Sequence, residues 1–222
     1  MAKDLAIILN NGSINSAVAT ALALQKCRAV MLYAEMGVQQ AGSRQRAAYD
    51  QQVVHFKPYR EHTLQMPFLT ALAVDERRGV TAVDPRQQNA PRSPQMLELL
   101  PLLAAGVRFA AHYQAAAIFF GMRVGTQQAD ELAQTTEYVQ VWNELIQLPC
   151  GQPDLEAHTP LMELEPWQVV DLGFQVGAPF EKTWSCVEDA GEPCWACRGC
   201  RAREAAFQQA GKPDPLRGAK KV

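Results

Sequence analysis

The chain has 222 residues, 48% apolar and 20% charged, which is enough for one sizeable core and a small appendage in an ordinary globular composition. Its net charge of −2 supplies no global basic field for nucleic acid. No stretch reaches the roughly 18 uninterrupted apolar residues of a membrane helix, and no basic segment followed by an apolar one and a cleavage site opens the sequence. A cytoplasmic protein with no membrane association is therefore expected.

Leu5-Ala6-Ile7-Ile8-Leu9 is an apolar run of strand length. A polar turn, Asn10-Asn11-Gly12-Ser13-Ile14-Asn15, leads from it into an alanine-rich helix over Ser16–Lys26. Strand, tight loop and helix in this order is where α/β proteins hold phosphate, because the free amides of a helix N-terminus point at an anion. Ala29–Ala34 reads as a second strand. Arg44–His55 reads as a helix with Ala47, Ala48, Val53 and Val54 to one side, and Tyr59–Leu64 as a third strand. Residues 75–95 mix charges, glutamines and prolines without a period and read as a long surface loop or lid.

Met96–Tyr113 reads as a helix whose Met96, Leu99, Leu100 and Leu103 form a core face rather than a cofactor contact. Ala116–Phe120 is a short apolar strand stopped by Gly121, and Glu131–Leu148 is a long helix. Pro166 suits the first position of a further helix ending near Gly173 or Gly177. This alternation predicts an α/β protein with a parallel, Rossmann-like sheet covered by helices on both faces. The expected organisation is a nucleotide-binding-like domain over residues 1–160, a C-terminal helical zinc-binding segment over 161–211 and a flexible tail over 212–222.

Four of the six cysteines, Cys186, Cys194, Cys197 and Cys200, follow the spacing C-x7-C-x2-C-x2-C. Two intervening residues let a tight turn present both sulfurs to one metal, and Gly191 and Pro193 help the longer segment fold back. Four thiolates make a closed tetrahedral zinc site, which staples structure and leaves no position for activating water. An iron–sulfur cluster also suits four thiolates, and two disulfides or free buried thiols are the non-metal alternatives; a reducing compartment favours metal, with zinc preferred. Cys27 and Cys150 lie apart and read as packing residues. Arg201-Ala-Arg203-Glu-Ala-Ala-Phe207 reads as a helix leaving the knuckle, with Phe207 on the core and the arginines in solvent; phosphate or nucleic-acid contact is the lesser reading. His55, His62, His112 and His158 share no ligand spacing, and no catalytic residue can be assigned.

Thr159-Pro160-Leu161, Val170-Asp171-Leu172-Gly173, Pro179-Phe180-Glu181-Lys182-Thr183-Trp184-Ser185-Cys186 and Pro193-Cys194-Trp195-Ala196-Cys197-Arg198-Gly199-Cys200 together resemble the C-terminal third of the 7-cyano-7-deazaguanine synthase family. The resemblance extends over residues 4–208 and is close over 159–208. It implies an adenine-nucleotide α-hydrolase fold with a PP-loop and a four-cysteine zinc knuckle at Cys186, Cys194, Cys197 and Cys200. It also implies Mg-ATP activation of the carboxylate of 7-carboxy-7-deazaguanine, which ammonia then converts through an amide to the nitrile, on the way to queuosine. The resemblance also implies assembly as a homodimer. Relatives in bacterial defence clusters use similar chemistry on other acceptors.

The family's S-G-G-x-D-S loop is represented here by Asn11-Gly12-Ser13-Ile14-Asn15-Ser16. Ser13 puts a Cβ where a second glycine allows close approach to phosphate. Asn15 keeps an acceptor and can still cap a helix, but it lacks the charge that helps hold Mg²⁺. Tyr33-Ala34-Glu35-Met36-Gly37 stands where the family has D-Y-G-Q, Ser93-Pro94-Gln95-Met96 where it has P-G-R-N, and Val124–Asp130 where it has an acidic, cysteine-bearing loop. Asn11 through Ser16 are thus expected to meet ATP or phosphate. Phe180, Glu181, Thr183 and Trp184 are expected to meet the deazaguanine, with a buttressing tryptophan and a solvated acid as the plainer readings of Trp184 and Glu181. The expected function is a divergent ligase acting on a 7-deazaguanine carboxylate. The alternative is a catalytically inactive zinc-containing relative that binds a ligand or a protein partner, for example in a defence system.

Overall fold

The computed structural model describes residues 4–35, 42–66, 94–188 and 191–218. Five parallel strands, β1 (Leu5–Leu9), β2 (Arg28–Glu35), β3 (Arg60–Gln65), β4 (Ala117–Phe120) and β5 (Glu156–His158), lie in the order β3-β2-β1-β4-β5. The helices are α1 (Ile14–Lys26), α2 (Gly42–Phe56), α3 (Pro94–Tyr113), α4 (Ala129–Cys150), α5 (Pro166–Gln175), α6 (Arg198–Gln209) and the short α7 (Pro215–Gly218). A 3-10 turn, Phe180–Lys182, joins α5 to the cysteine segment.

Successive side chains of a strand point to opposite faces, and the two faces of this sheet are both apolar. Ile7, Val30, Leu32, Ile118 and Phe120 pack against Leu103 and Ala110 of α3 and Ile146 of α4. Ala6, Ile8, Met31 and Tyr33 pack on the other side against Ala23 of α1 and Tyr49 of α2. A third cluster joins Val18 and Ala19 of α1 to Leu161, Val169, Val170, Phe180, Ala206 and Phe207, so the C-terminal segment sits directly on the helix that follows the loop. Phe174, Phe180 and Phe207 meet with centroid separations of 5.1–6.3 Å, tilted or edge-on as aromatic quadrupoles prefer.

Four differences from the sequence reading have physical causes. β5 is only three residues long, too short to show a period, and is defined by its pairing with β4. α4 runs past Pro149 to Cys150 and stops where Gly151 turns left-handed at φ 61°. The tail expected to be flexible from Lys212 is folded through Gly218, because the nearly buried Asp214 receives Arg203 at 2.6 and 2.8 Å. Arg203 is therefore not in solvent, as its sequence context suggested; it is 3% exposed, while Arg201 is exposed. The expected lid over residues 75–95 lies almost wholly outside the described residues, as do residues 219–222.

His158 of β5 stacks on Phe119 at 4.8 Å. Burial pushes its pKa below the usual value, against a smaller opposing pull from Glu156; burial also lowers His55 and His62. A depressed folded-state histidine pKa means that the unfolded chain binds more protons just below about pH 6.5, so stability is lost as pH falls through that region. Chemical unfolding at pH 7, 6 and 5 should show this decline, and it should be shallower in His158→Gln. An unchanged slope in the variant would exclude a contribution from His158.

Candidate functional site

β1 and β4 are neighbours whose connections leave in opposite directions, and their C-terminal ends open a crevice at the switch point of the sheet, where doubly wound folds bind ligands. The cavity there is about 330 Å³. One wall is polar and comes from the loop, with Asn10, Asn11 and Ser13, and from the first turn of α1, with Asn15 and Ser16. The other is apolar, with Leu32, Ala34, Leu64, Leu99, Leu102 and Phe120 among its residues. A planar ring can lie on the apolar side while polar substituents face the loop. Leu99, expected to serve only the core, thus lines the cavity as well.

The loop is held by its own side chains. Ser13 caps α1 and accepts from the Ser16 amide at 3.3 Å. Asn11 Oδ1 accepts from the Ser13 amide at 3.2 Å and from Ser16 Oγ at 3.0 Å. Two amides that a phosphate would find in a glycine-rich loop therefore already have partners here. Gly12 has φ 78°, and a Cβ on it would fall 2.4 Å from the Gln45 carbonyl oxygen, so this glycine serves packing on α2. Gly121 at the end of β4 is equally confined: a Cβ there would lie 2.5 Å from the Asn15 carbonyl carbon. No carboxylate occurs among the described lining residues, so Mg²⁺ arriving with a nucleotide would meet neutral protein oxygens and depend on phosphate and water.

Asn10, read from sequence only as part of the polar turn, anchors the loop. Its Nδ2 donates to Thr20 Oγ1 at 3.0 Å and to Gln52 Oε1 at 2.9 Å, and its Oδ1 accepts from the Gly12 amide at 2.8 Å. A polar residue directly after an apolar strand was a usable signal. Gln52 had none, since its partners are far away in sequence.

The residues expected to meet a deazaguanine are not gathered at this cavity. Phe180 is buried in the aromatic cluster under α5 and α6. Thr183 is buried, donates to the Phe180 carbonyl at 2.7 Å and accepts from Arg203 at 2.7 Å. Glu181 is exposed, 3.9 Å from Lys182. Trp184 packs with Ala48, Cys186 and Cys200, and its backbone amide donates to the Gly12 carbonyl at 2.9 Å. The indole ring thus buttresses the knuckle while its backbone touches the loop.

The four cysteines do come together, with all Sγ atoms within 4.8 Å of one another. Four sulfurs at zinc-bond length around one ion stand about 3.8 Å apart; Cys186 lies 3.4 Å from Cys194 and 4.0 Å from Cys197. This spacing fits a single ion. Amides of Glu188 and Cys194 reach Cys186 Sγ, that of Cys197 reaches Cys194, and that of Cys200 reaches Cys197, each at 3.4 Å. Such donors favour thiolate. Burial raises the Cys197 pKa, but the amides of Cys200 and Val187 together with the Cys200 and Cys194 thiols outweigh it and hold the thiol at about 6. Backbone amides likewise lower Cys194, whereas burial pushes Cys200 up. Cys27 and Cys150 are partly buried against the two faces of the sheet. No helix among the described residues is long and apolar enough to cross a membrane.

Comparison with known proteins matches residues 5–211 to the family model described as queuosine biosynthesis protein QueC. A 7-cyano-7-deazaguanine synthase of Chloroherpeton thalassium is 27% identical over 218 residues, 95% of each chain. One of Chlorobium chlorochromatii is 36% identical over 80 residues; that match covers 36% of this chain, which spans about a third of the relative's length. The U34-tRNA thiolase NcsA from Methanococcus maripaludis, solved with its [4Fe-4S] cluster, superposes with a TM-score of 0.51 at 10% identity, over 95% of this chain and 68% of that one, which is a likeness of fold.

Proposed function

Because the chain belongs to the QueC family, we propose that the β1/β4 crevice is a purine-nucleotide site and that the protein activates a 7-deazaguanine carboxylate, 7-carboxy-7-deazaguanine being the first candidate, with ATP. The observation that carries this reading is the crevice itself, at the switch point, with a loop and helix N-terminus on one wall and an apolar shelf on the other. In this reading a carboxylate oxygen attacks the α-phosphorus and pyrophosphate leaves. Ammonia or another amine then attacks the acyl carbon and AMP leaves. The loop's part is positioning, with Asn11, Ser13, Asn15 and Ser16 offering neutral hydrogen-bonding groups to the nucleotide. Zinc in the four-cysteine cluster is structural.

A second reading is a relative that binds but does not turn over. It is favoured by the Asn11 and Ser13 side chains on the loop amides and by the neutral Asn15. One experiment separates the two. Zinc-loaded protein is incubated with Mg-ATP, 7-carboxy-7-deazaguanine and ammonium, AMP and deazaguanine products are followed by mass spectrometry, and ATP binding is titrated in parallel. Adenylate, amide or nitrile is the expected result. Binding without product would establish the second reading, and neither binding nor product would sink the assignment of the crevice.

A further inference from the structure

Gln52 sits in α2 with 0% exposure, a costly place for a carboxamide unless both of its ends are used. Both are. Oε1 accepts from Asn10, which lines the crevice, and Nε2 donates to the Lys182 carbonyl at 2.9 Å, in the turn that leads to Trp184 and Cys186. One side chain thus bridges segments that share no secondary structure. A second link runs alongside it: the Trp184 amide donates to the Gly12 carbonyl, while the Trp184 ring packs on Ala48 of α2 and on Cys186 and Cys200. Gly12 in turn is pressed against Gln45, Ala48 and Tyr49. Positions 45, 48, 49 and 52 are one face of a helix. α2 therefore meets the crevice loop and the cysteine knuckle with the same face.

We propose that Gln52 is a positioning residue that ties the Asn10–Ser13 loop to the Phe180–Cys186 segment, so that the four-cysteine cluster and the crevice are energetically linked. This rests on the crevice being the ligand site. Removing the carboxamide would orphan the second Asn10 N–H and the Lys182 carbonyl together, and the loop would lose its connection to the knuckle. Linkage is reciprocal: whatever steadies the knuckle, a metal included, steadies the loop, and a ligand on the loop steadies the knuckle.

The test is hydrogen–deuterium exchange on the ligand-free chain, with metal and after chelation, in wild type, Gln52→Met and Ile146→Val. Ile146 lies in the opposite core layer and controls for a general loss of stability. Gln52→Met should speed exchange of the segment 10–16 at least about tenfold beyond the control. Chelation should speed the same segment in wild type and change it less in Gln52→Met. If Gln52→Met does not fold, the chelation series on wild type carries the test, with exchange of 10–16 compared with that of α4, which packs in the opposite core layer. Exchange of 10–16 that follows the control, or that ignores chelation in wild type, overturns the proposal. Because no ligand enters this measurement, its failure is distinct from a failure to bind ATP.

Discussion

Arg203→Met should be among the most damaging single substitutions in the described part of this chain, costing about 3–5 kcal/mol and lowering the melting temperature by about 10 °C or more. Arg203 is almost fully buried, and its guanidinium is spent on four bonds: two to Asp214 at 2.6 and 2.8 Å, one to Thr183 at 2.7 Å and one to the Phe180 carbonyl at 3.1 Å. Its loss leaves a buried carboxylate without a counter-charge and removes the donor to Thr183 Oγ1, while the Phe180 carbonyl keeps its bond from Thr183 Oγ1. Asp214 would retain only its bond from the Leu216 amide among those named here. The double variant Arg203→Met/Asp214→Asn should be less destabilised than the sum of the two singles, because the orphaned charge is gone. Additive losses in denaturant titrations would show that the pair is not coupled.

Cys200→Ser should have a comparable effect by a different route. Cys200 is 1% exposed at the start of α6, and its thiol packs with Trp184 and Cys186. With three thiolates left, zinc content should fall from about one ion per chain to well below it, and the free energy that metal binding adds to folding should go with it. Zinc is read by atomic spectrometry and stability by thermal melting in the same preparations. A Cys200→Ser protein with full zinc and an unchanged melt would remove Cys200 from the ligand set. Chelation of the wild type should reproduce the variant's melt, since both lose the same ion.

The four-cysteine cluster and the β1/β4 crevice differ in how far sequence revealed them. Cys186, Cys194, Cys197 and Cys200 lie within fifteen residues, and short spacing alone brings their sulfurs near one another, so the cluster was readable as a pattern. The loop was readable for the same reason: Asn11 through Ser16 are contiguous and join a strand to a helix. The far wall of the crevice was not. Leu32, Leu64, Leu99 and Phe120 come from four different elements, each an ordinary apolar residue in its own segment.

Sequence by itself determined the periodicity of the strands and helices, the parallel sheet that alternation implies, the four-cysteine spacing and the family to which these motifs belong. Those properties are carried by neighbours in the chain or by spacing that geometry repeats. Tertiary structure decided which amides of the loop are taken by Asn11 and Ser13, that Phe180 and Thr183 turn into the core, that Arg203 is a buried clamp on Asp214, and that Gln52 joins the loop to the knuckle. Each of these depends on side-chain direction and burial across the fold. Gln52 and Lys182 are 130 residues apart, and nothing local to either of them points at the other.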